Sequence, residues 1–408
     1  MKIASINMSN YGSTGNIMIA LADEARRQGD DVLLCYPATK KTLSKKVEDT
    51  YIIGNRIGRN IGIFFSKTFG CDNLLFRHAT RRLVRRLKRF TPDVVHLHNL
   101  HGWYLNIPIL FEYLRSSGIS VVWTFHDCWP VTGHCPYFDM IGCRKWQEGC
   151  GACPQLREYP ASFIDNSKRM FAVKRKYFSM ISNLTIAAPS QWLADIVKKS
   201  FLGDKRIVVI NNGINLDVFK PVESDFRKRY NCEKKKILLG VAFGWGRRKG
   251  LDVFIRLAAD LPSNYQIVLV GTDDEVDKLL PSNIISIRRT QNQAELAEIY
   301  SAADIFVNPT REEVFGCVNA EALACGTPII TFATGGSPEA IDESCGIVIP
   351  KDDYPALIKA ITEFEKNRFP SEACILRSKK FAQSEQNSNY LSLYRQKMSD
   401  TANKNNLF

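Results

Sequence analysis

Residues 312–321 read EEVFGCVNAE and hold Glu313 and Glu321 eight positions apart around the Phe315–Gly316 pair, in a chain whose formal net charge is +13. Carboxylates are strong acceptors for the hydroxyls of a vicinal diol, whereas a glycine turn and the free N–H groups of a following helix suit an anion. Two carboxylates would repel a phosphate they touched, so the matching ligand presents hydroxyl groups around a phosphate centre. The turn VAFGWGRRKG, residues 241–250, adds Arg247, Arg248 and Lys249 among Gly244, Gly246 and Gly250. Arg offers a bidentate fork and Lys a point charge, a set suited to diphosphate, although a solvated basic loop has the same composition. Sugar hydroxyls on both sides of a diphosphate describe a nucleotide sugar. Downstream, TGGSPEAI brings Gly335, Gly336 and Glu339 to another turn open to close backbone approach.

The first half carries its own candidates. NMSNYGSTGN places Gly12 and Gly15 ahead of a helix, an anion-compatible start. The full G-x-G-x-x-G is missing, and the second strand ends in Tyr36–Pro37 in place of an acid for a ribose, which disfavours a nicotinamide dinucleotide. Four of the six histidines, His96, His98, His101 and His126, fall at two neighbouring strand ends. His-x-His on a strand puts two imidazoles on one face, as a metal site requires; the plainer alternative is that some are core histidines with satisfied nitrogens and only one meets a ligand. His126–Asp127, a titratable pair directly after a strand, is the stronger functional candidate.

Five of the twelve cysteines crowd into residues 128–153. From Cys135 through Cys143 and Cys150 to Cys153 the spacing C-x7-C-x6-C-x2-C reads as a structural four-thiolate zinc site on an inserted loop. Free buried thiols and a redox or iron–sulfur role are the alternatives.

These residues need a scaffold that gathers loop ends. Continuous apolar runs such as DVLLCYP, DVVHLHN, YQIVLVG and ADIFVNP mark strands buried on both faces, and helical patterns such as NIMIALADEARRQG and QAELAEIYSAA separate them. The alternation predicts α/β architecture: two facing Rossmann-like, doubly wound domains, with ligands beyond the carboxyl ends of the strands. A length of 408 residues suits two domains. The expected division is residues 1–214 with a Cys-rich insert at 128–153, a polar linker at 215–235, a second domain at 236–380 and a C-terminal helix at 381–400. No apolar run reaches the roughly 18 residues of a spanning helix, and the N-terminus lacks the layout of a signal peptide, so the expectation is a cytoplasmic chain.

The charge is lopsided. Residues 1–200 hold 28 Lys and Arg against 15 Asp and Glu, whereas the remainder balances at 27 of each. Much of the excess lies in FRHATRRLVRRLKRF, residues 76–90, which as a helix is basic and amphipathic. Such segments bind anionic lipid or phosphorylated ligands, or simply form a solvated face. Without interleaved aromatics or a recognisable module, nucleic acid is not expected as a partner.

EVFGCVNAE with the following EALACGTPII, the NNGINLDVFKP segment, the RKG turn, TGGSPE and the His126–Asp127 pair together resemble glycosyltransferase family 4, retaining sugar-nucleotide transferases of the GT-B fold, over almost the whole chain. HLHNLHGWYLN and HDCWPVTGHC look like transferases of bacterial exopolysaccharide, colanic-acid-type and lipopolysaccharide assembly. The resemblance implies that Glu321 grips the nucleotide ribose, Glu313 the donor sugar and Lys249 the diphosphate. Phe315 and Gly316 would complete the nucleotide site, Gly15 would approach the diphosphate, and His126 would contact the donor sugar. It further implies a UDP- or GDP-sugar donor, no cofactor for catalysis, and a saccharide acceptor linked to polyprenyl diphosphate. The enzyme would sit peripherally at the inner face of the plasma membrane, on an anionic surface. The family often carries an Arg several residues before the Lys, where this chain has Phe243–Gly244–Trp245; Arg247 or Arg248 would substitute. A rival reading is a catalytically inactive scaffold that binds anionic polysaccharide through its basic first half.

Overall fold

A computed structural model describes residues 1–365 and 368–405, with side chains described as far as residue 397. The chain divides into two compact units, Met1–Ile210 with Asn387–Phe408, and Asn211–Gln386. Each is built on one all-parallel sheet.

In the first unit the strands are β1 (Lys2–Ile6), β2 (Asp31–Pro37), β3 (Thr50–Ile53), β4 (Val94–Leu97), β5 (Ser120–Thr124), β6 (Leu184–Ala188) and β7 (Arg206–Val209), in the order β3-β2-β1-β4-β5-β6-β7. The reversal of direction beside β1 puts the ends of β1 and β4 at the switch point where ligands of such sheets collect. Strand β3 is absent from the sequence expectation because its four residues at the sheet edge are only partly buried and lack a long apolar run. The helix Gln383–Asn405 completes this unit from the far end of the chain: Tyr390, Leu391, Leu393 and Tyr394 join the core with Ile3, Leu34, Val94 and Val122.

The second unit holds β8 (Lys236–Val241), β9 (Tyr265–Val270), β10 (Ile284–Ile287), β11 (Ile305–Asn308), β12 (Ile329–Phe332) and β13 (Gly346–Ile349), ordered β10-β9-β8-β11-β12-β13. Its central strands are buried on both sides, as their unbroken apolar sequences require. The segment 215–235 is packed against this unit: Phe219 and Phe226 lie in its core beside Tyr300 and Phe306. Among the described residues no helix is long and apolar enough to cross a membrane.

Candidate active site

In the second unit, the loop after β11 and the turn after β8 meet. Lys249 Nζ donates to Glu313 Oε2 at 2.5 Å, both side chains being largely buried. Burial alone would raise the Glu313 carboxyl, but the Lys249 ammonium, followed by the Arg248 charge, holds it below its ordinary value. Glu313 is therefore ionised at neutral pH, and Lys249 is pinned at the glycine-rich turn.

The backbone around this pair is tightly determined. Gly250, at φ +77°, has its missing Cβ only 2.5 Å from the Pro309 carbonyl oxygen. Gly335, at φ +56°, would place a Cβ 1.7 Å from the Glu313 carbonyl oxygen, and the Gly336 N–H donates to that same oxygen at 3.1 Å. Close backbone approach, which only glycine permits, thus seats the loop that carries Glu313.

Arg311 fastens the two turns together. Its guanidinium donates to both Asp252 carboxylate oxygens at 2.7 and 2.8 Å, to Asp352 at 2.6 Å and to the Arg247 carbonyl at 2.5 Å. Arg311 is thereby committed to structure, leaving Arg248 and Lys249 as the cations beside Glu313. The side chain of Arg247 is exposed. Trp245 is structural, its indole N–H bonded to the Val270 carbonyl at 2.9 Å, whereas Phe243 stands almost fully in solvent.

Gly316, at φ +81°, opens the helix Cys317–Ala324, which has no side-chain cap. Its first N–H groups remain available to an anion. Beneath it a buried network sets the geometry: Asn308 Nδ2 donates to Asn319 Oδ1 at 2.8 Å, Asn319 Nδ2 donates to the Ser337 carbonyl at 3.0 Å, and Ser337 bonds Thr331 at 2.9 Å. Composition and spacing give no signal for this network, because Asn, Ser and Thr are common and only the fold brings these four together from two strands, a helix and a turn. The Phe315 ring, expected at the nucleotide, is instead buried in the core 5.4 Å from Phe381, so only its backbone remains for a ligand.

Glu321 lies one turn into the helix and accepts from the Tyr300 hydroxyl at 3.1 Å. Burial pushes its carboxyl up to about 7, against that hydrogen bond. Two carboxyls eight residues apart thus sit in different surroundings: one is neutralised by Lys249, and the other accepts from a hydroxyl. The second is an incomplete hydrogen-bond site suited to further hydroxyl donors.

The first unit collects the histidines. His96 has both nitrogens occupied, Nε2 by Thr124 at 2.8 Å and Nδ1 by Tyr394 at 2.6 Å. His101 bonds Asp127 at 2.8 Å through Nε2 and Tyr159 at 2.9 Å through Nδ1. These two are satisfied within the protein. His126 is partly exposed, and its Nε2 lies 3.1 Å from His98 Nδ1. Burial lowers the His126 imidazole to about 4 despite the neighbouring Asp127, so it is neutral at physiological pH. It can offer a hydrogen bond but no cation. Gly15 packs the first helix against the Ser9–Asn10 loop, where an added Cβ would come 2.7 Å from the Asn10 carbonyl carbon.

The four cysteines expected at a structural zinc site are brought to one place. Cys135, Cys143, Cys150 and Cys153 line one small cavity, yet among the described residues no three His, Cys, Asp or Glu side chains gather closely enough to hold a metal ion. Cys150 Sγ instead accepts from the Gly133 N–H at 3.1 Å, and the Cys135 and Cys153 thiols hydrogen-bond to each other. That bond lowers Cys153 to about 7 and raises Cys135.

The sequence matches the profile described as Glycosyltransferase Family 4 over residues 14–218 and that of Glycosyl transferases group 1 over residues 222–381. This chain belongs to glycosyltransferase family 4. Among relatives of the transferase is WcaC of Escherichia coli (strain K12), named for colanic acid biosynthesis, 27% identical over 314 residues that cover 73% of this chain and 72% of WcaC. Sucrose-phosphate synthase from Thermosynechococcus elongatus superposes with a TM-score of 0.73 at 20% identity, covering 98% of this chain and 99% of that one. Anabaena Alr3699/HepE in complex with UDP-glucose gives a TM-score of 0.64 at 16% identity, with 99% and 100% coverage. The fold of this family 4 glycosyltransferase is accordingly GT-B.

Proposed function

We propose that this family 4 glycosyltransferase moves a hexose, with retention at the anomeric carbon, from a nucleotide-diphosphate sugar to a lipid-linked or growing saccharide in bacterial surface polysaccharide assembly. The observation that carries the donor half is the Lys249–Glu313 pair at the mouth of two glycine turns, with the uncapped helix Cys317–Ala324 beside it. Lys249, Arg248 and the first helix N–H groups stabilise the charge that develops on the departing diphosphate, a preorganised arrangement, while the departing phosphate oxygen takes the proton of the attacking acceptor hydroxyl. Glu321 accepts the ribose hydroxyls and Glu313 those of the donor sugar. His126, held neutral, donates or accepts one hydrogen bond at the sugar. The acceptor half is supported by the likeness to WcaC and by the basic first unit, which suits an acceptor carrying diphosphate.

The test is a calorimetric screen of UDP- and GDP-sugars, beginning with UDP-glucose because Alr3699/HepE is solved with it. Binding of one nucleotide family, lost in Glu321→Ala, supports the reading, and a folded Glu313→Ala enzyme should bind nucleotide but transfer no sugar. Unimpaired turnover in Glu313→Ala would remove that residue from the chemistry.

A further inference from the structure

The helix Arg56–Phe69 is inside out for a soluble protein. Its buried residues are Gly62 and Ser66, with Gly62 so close to the Phe76 ring that an added Cβ would lie 2.3 Å from it. Its large apolar side chains face outward: Ile57, Ile61 and Phe64 are 75, 55 and 66% exposed, at the spacing of a single stripe. Phe65 and Phe69, stacked 6.2 Å apart and about half exposed, widen the stripe.

A second segment extends it. The Phe163 N–H donates to the Lys67 carbonyl at 2.8 Å, and the Asn166 side chain donates to the Phe69 carbonyl, so the exposed Phe163 and Ile164 lie beside the end of the helix. Contiguous exposed apolar patches of this kind are rare on soluble chains without a partner.

Charge identifies the partner. Residues 51–92 contain ten Lys and Arg and one acid, Asp72, whose carboxylate oxygens are both buried. The helix Arg77–Phe90 starts one residue after Phe76, the ring that touches Gly62, and exposes Arg77, Arg81, Arg82, Arg85, Lys88 and Arg89. A second copy of this face would be repelled by the same ten cations, and a nucleic acid would leave the isoleucines and phenylalanines in water. An anionic bilayer satisfies both: phosphates meet the cations while the stripe enters the boundary between head groups and acyl chains.

We propose that the helix Arg56–Phe69, with Phe163 and Ile164, is a membrane-inserting face through which the first unit docks on anionic lipid. The inference deepens the lipid-linked acceptor reading above, but vesicle binding is measured without donor or acceptor, and transfer can be measured on a soluble acceptor, so either can fail alone. The full chain is sedimented with vesicles of phosphatidylcholine with or without phosphatidylglycerol. Binding to the anionic vesicles alone is expected, and the double substitution Ile57→Ser with Phe64→Ser should weaken it by about tenfold or more at unchanged melting temperature, since both side chains are solvent-exposed. In a separate variant, Phe64→Trp, the indole fluorescence should shift to the blue on adding the same vesicles. Vesicle binding that survives the double substitution, or an indole that does not respond, overturns the insertion. A dimer in ultracentrifugation that the double substitution dissolves, with no vesicle binding by the parent chain, reassigns the stripe to self-association.

Discussion

Glu321→Gln separates the cost of burying this carboxyl from its use. Burial raises the Glu321 carboxyl from an ordinary 4.5 to about 7. A group bound more tightly to its proton when folded contributes its full stability below the unfolded value, and that contribution falls away as pH rises through the folded one. At about pH 8 the ionised carboxylate therefore costs the second unit up to about 3 kcal/mol relative to pH below 4.5. Glutamine keeps the shape and the oxygen that Tyr300 donates to, but does not titrate. The variant should match the wild type near pH 5 and melt up to about 6–12 °C higher at pH 8, using the usual conversion for a unit of this size. Other groups that titrate in the range, Lys174 at about 7 among them, are common to both proteins and cancel in the difference. The assay is a pair of melting curves in matched buffers from about pH 5 to pH 8.5, repeated with saturating UDP. The same substitution should remove most of the UDP-induced rise if, as proposed, Glu321 is the carboxylate that accepts the ribose hydroxyls. A flat difference between variant and wild type across the range, or a less stable variant at high pH, refutes the argument that burial strains this carboxylate.

Lys249→Met removes the cation that neutralises Glu313 and that the proposed function assigns to the diphosphate, and should reduce turnover by about 10² to 10³-fold; near-normal steady-state rates would show that the charge is supplied elsewhere. Gly335→Ala drives a methyl into the Glu313 carbonyl and imposes φ +56° on an L-residue, so turnover should fall sharply for a stability loss of about 1–3 kcal/mol; wild-type kinetics would mean that the loop is not held as tightly as the contacts imply. Cys153, at about 7, should be alkylated by iodoacetamide near neutral pH before any of the other eleven cysteines. Peptide mapping in which Cys143 reacts first, or in which Cys135→Ser leaves the Cys153 rate unchanged, would remove the thiol pair as the cause.

The parallel sheets were legible because buried strands are written as unbroken apolar runs; β3, four residues at an edge, carries no such run. Glu313, Lys249 and Gly316 were legible as residue types in a meaningful spacing, since a carboxylate, a cation and a glycine turn have few other reasons to recur after strands. The Arg311 clamp was not, because Arg311 sits beside Glu312 and Glu313 in sequence yet its partners are Asp252 and Asp352, 59 and 41 positions away. The fate of His96 was equally hidden, being decided by Tyr394 from 298 residues downstream. Phe315 stands next to Gly316 and reads as part of the turn, but its ring belongs to the core. The helix Arg56–Phe69 shows the general difficulty: helical periodicity reports that one face is apolar and says nothing about whether that face meets protein or lipid.

Tyr390, Leu391 and Tyr394 fill the centre of the first unit, although they are made almost two hundred residues after its last strand. During synthesis the second unit, continuous from Asn211 to Gln386, has its whole sequence out of the ribosome before the first can seal its interior. Until the last helix arrives, His96 lacks the Tyr394 hydroxyl and the sheet lacks one of its packing layers. The order of completion along this chain is thus reversed: the half that is translated first is the half that finishes last, and the growing chain carries an open N-terminal unit for most of its time on the ribosome.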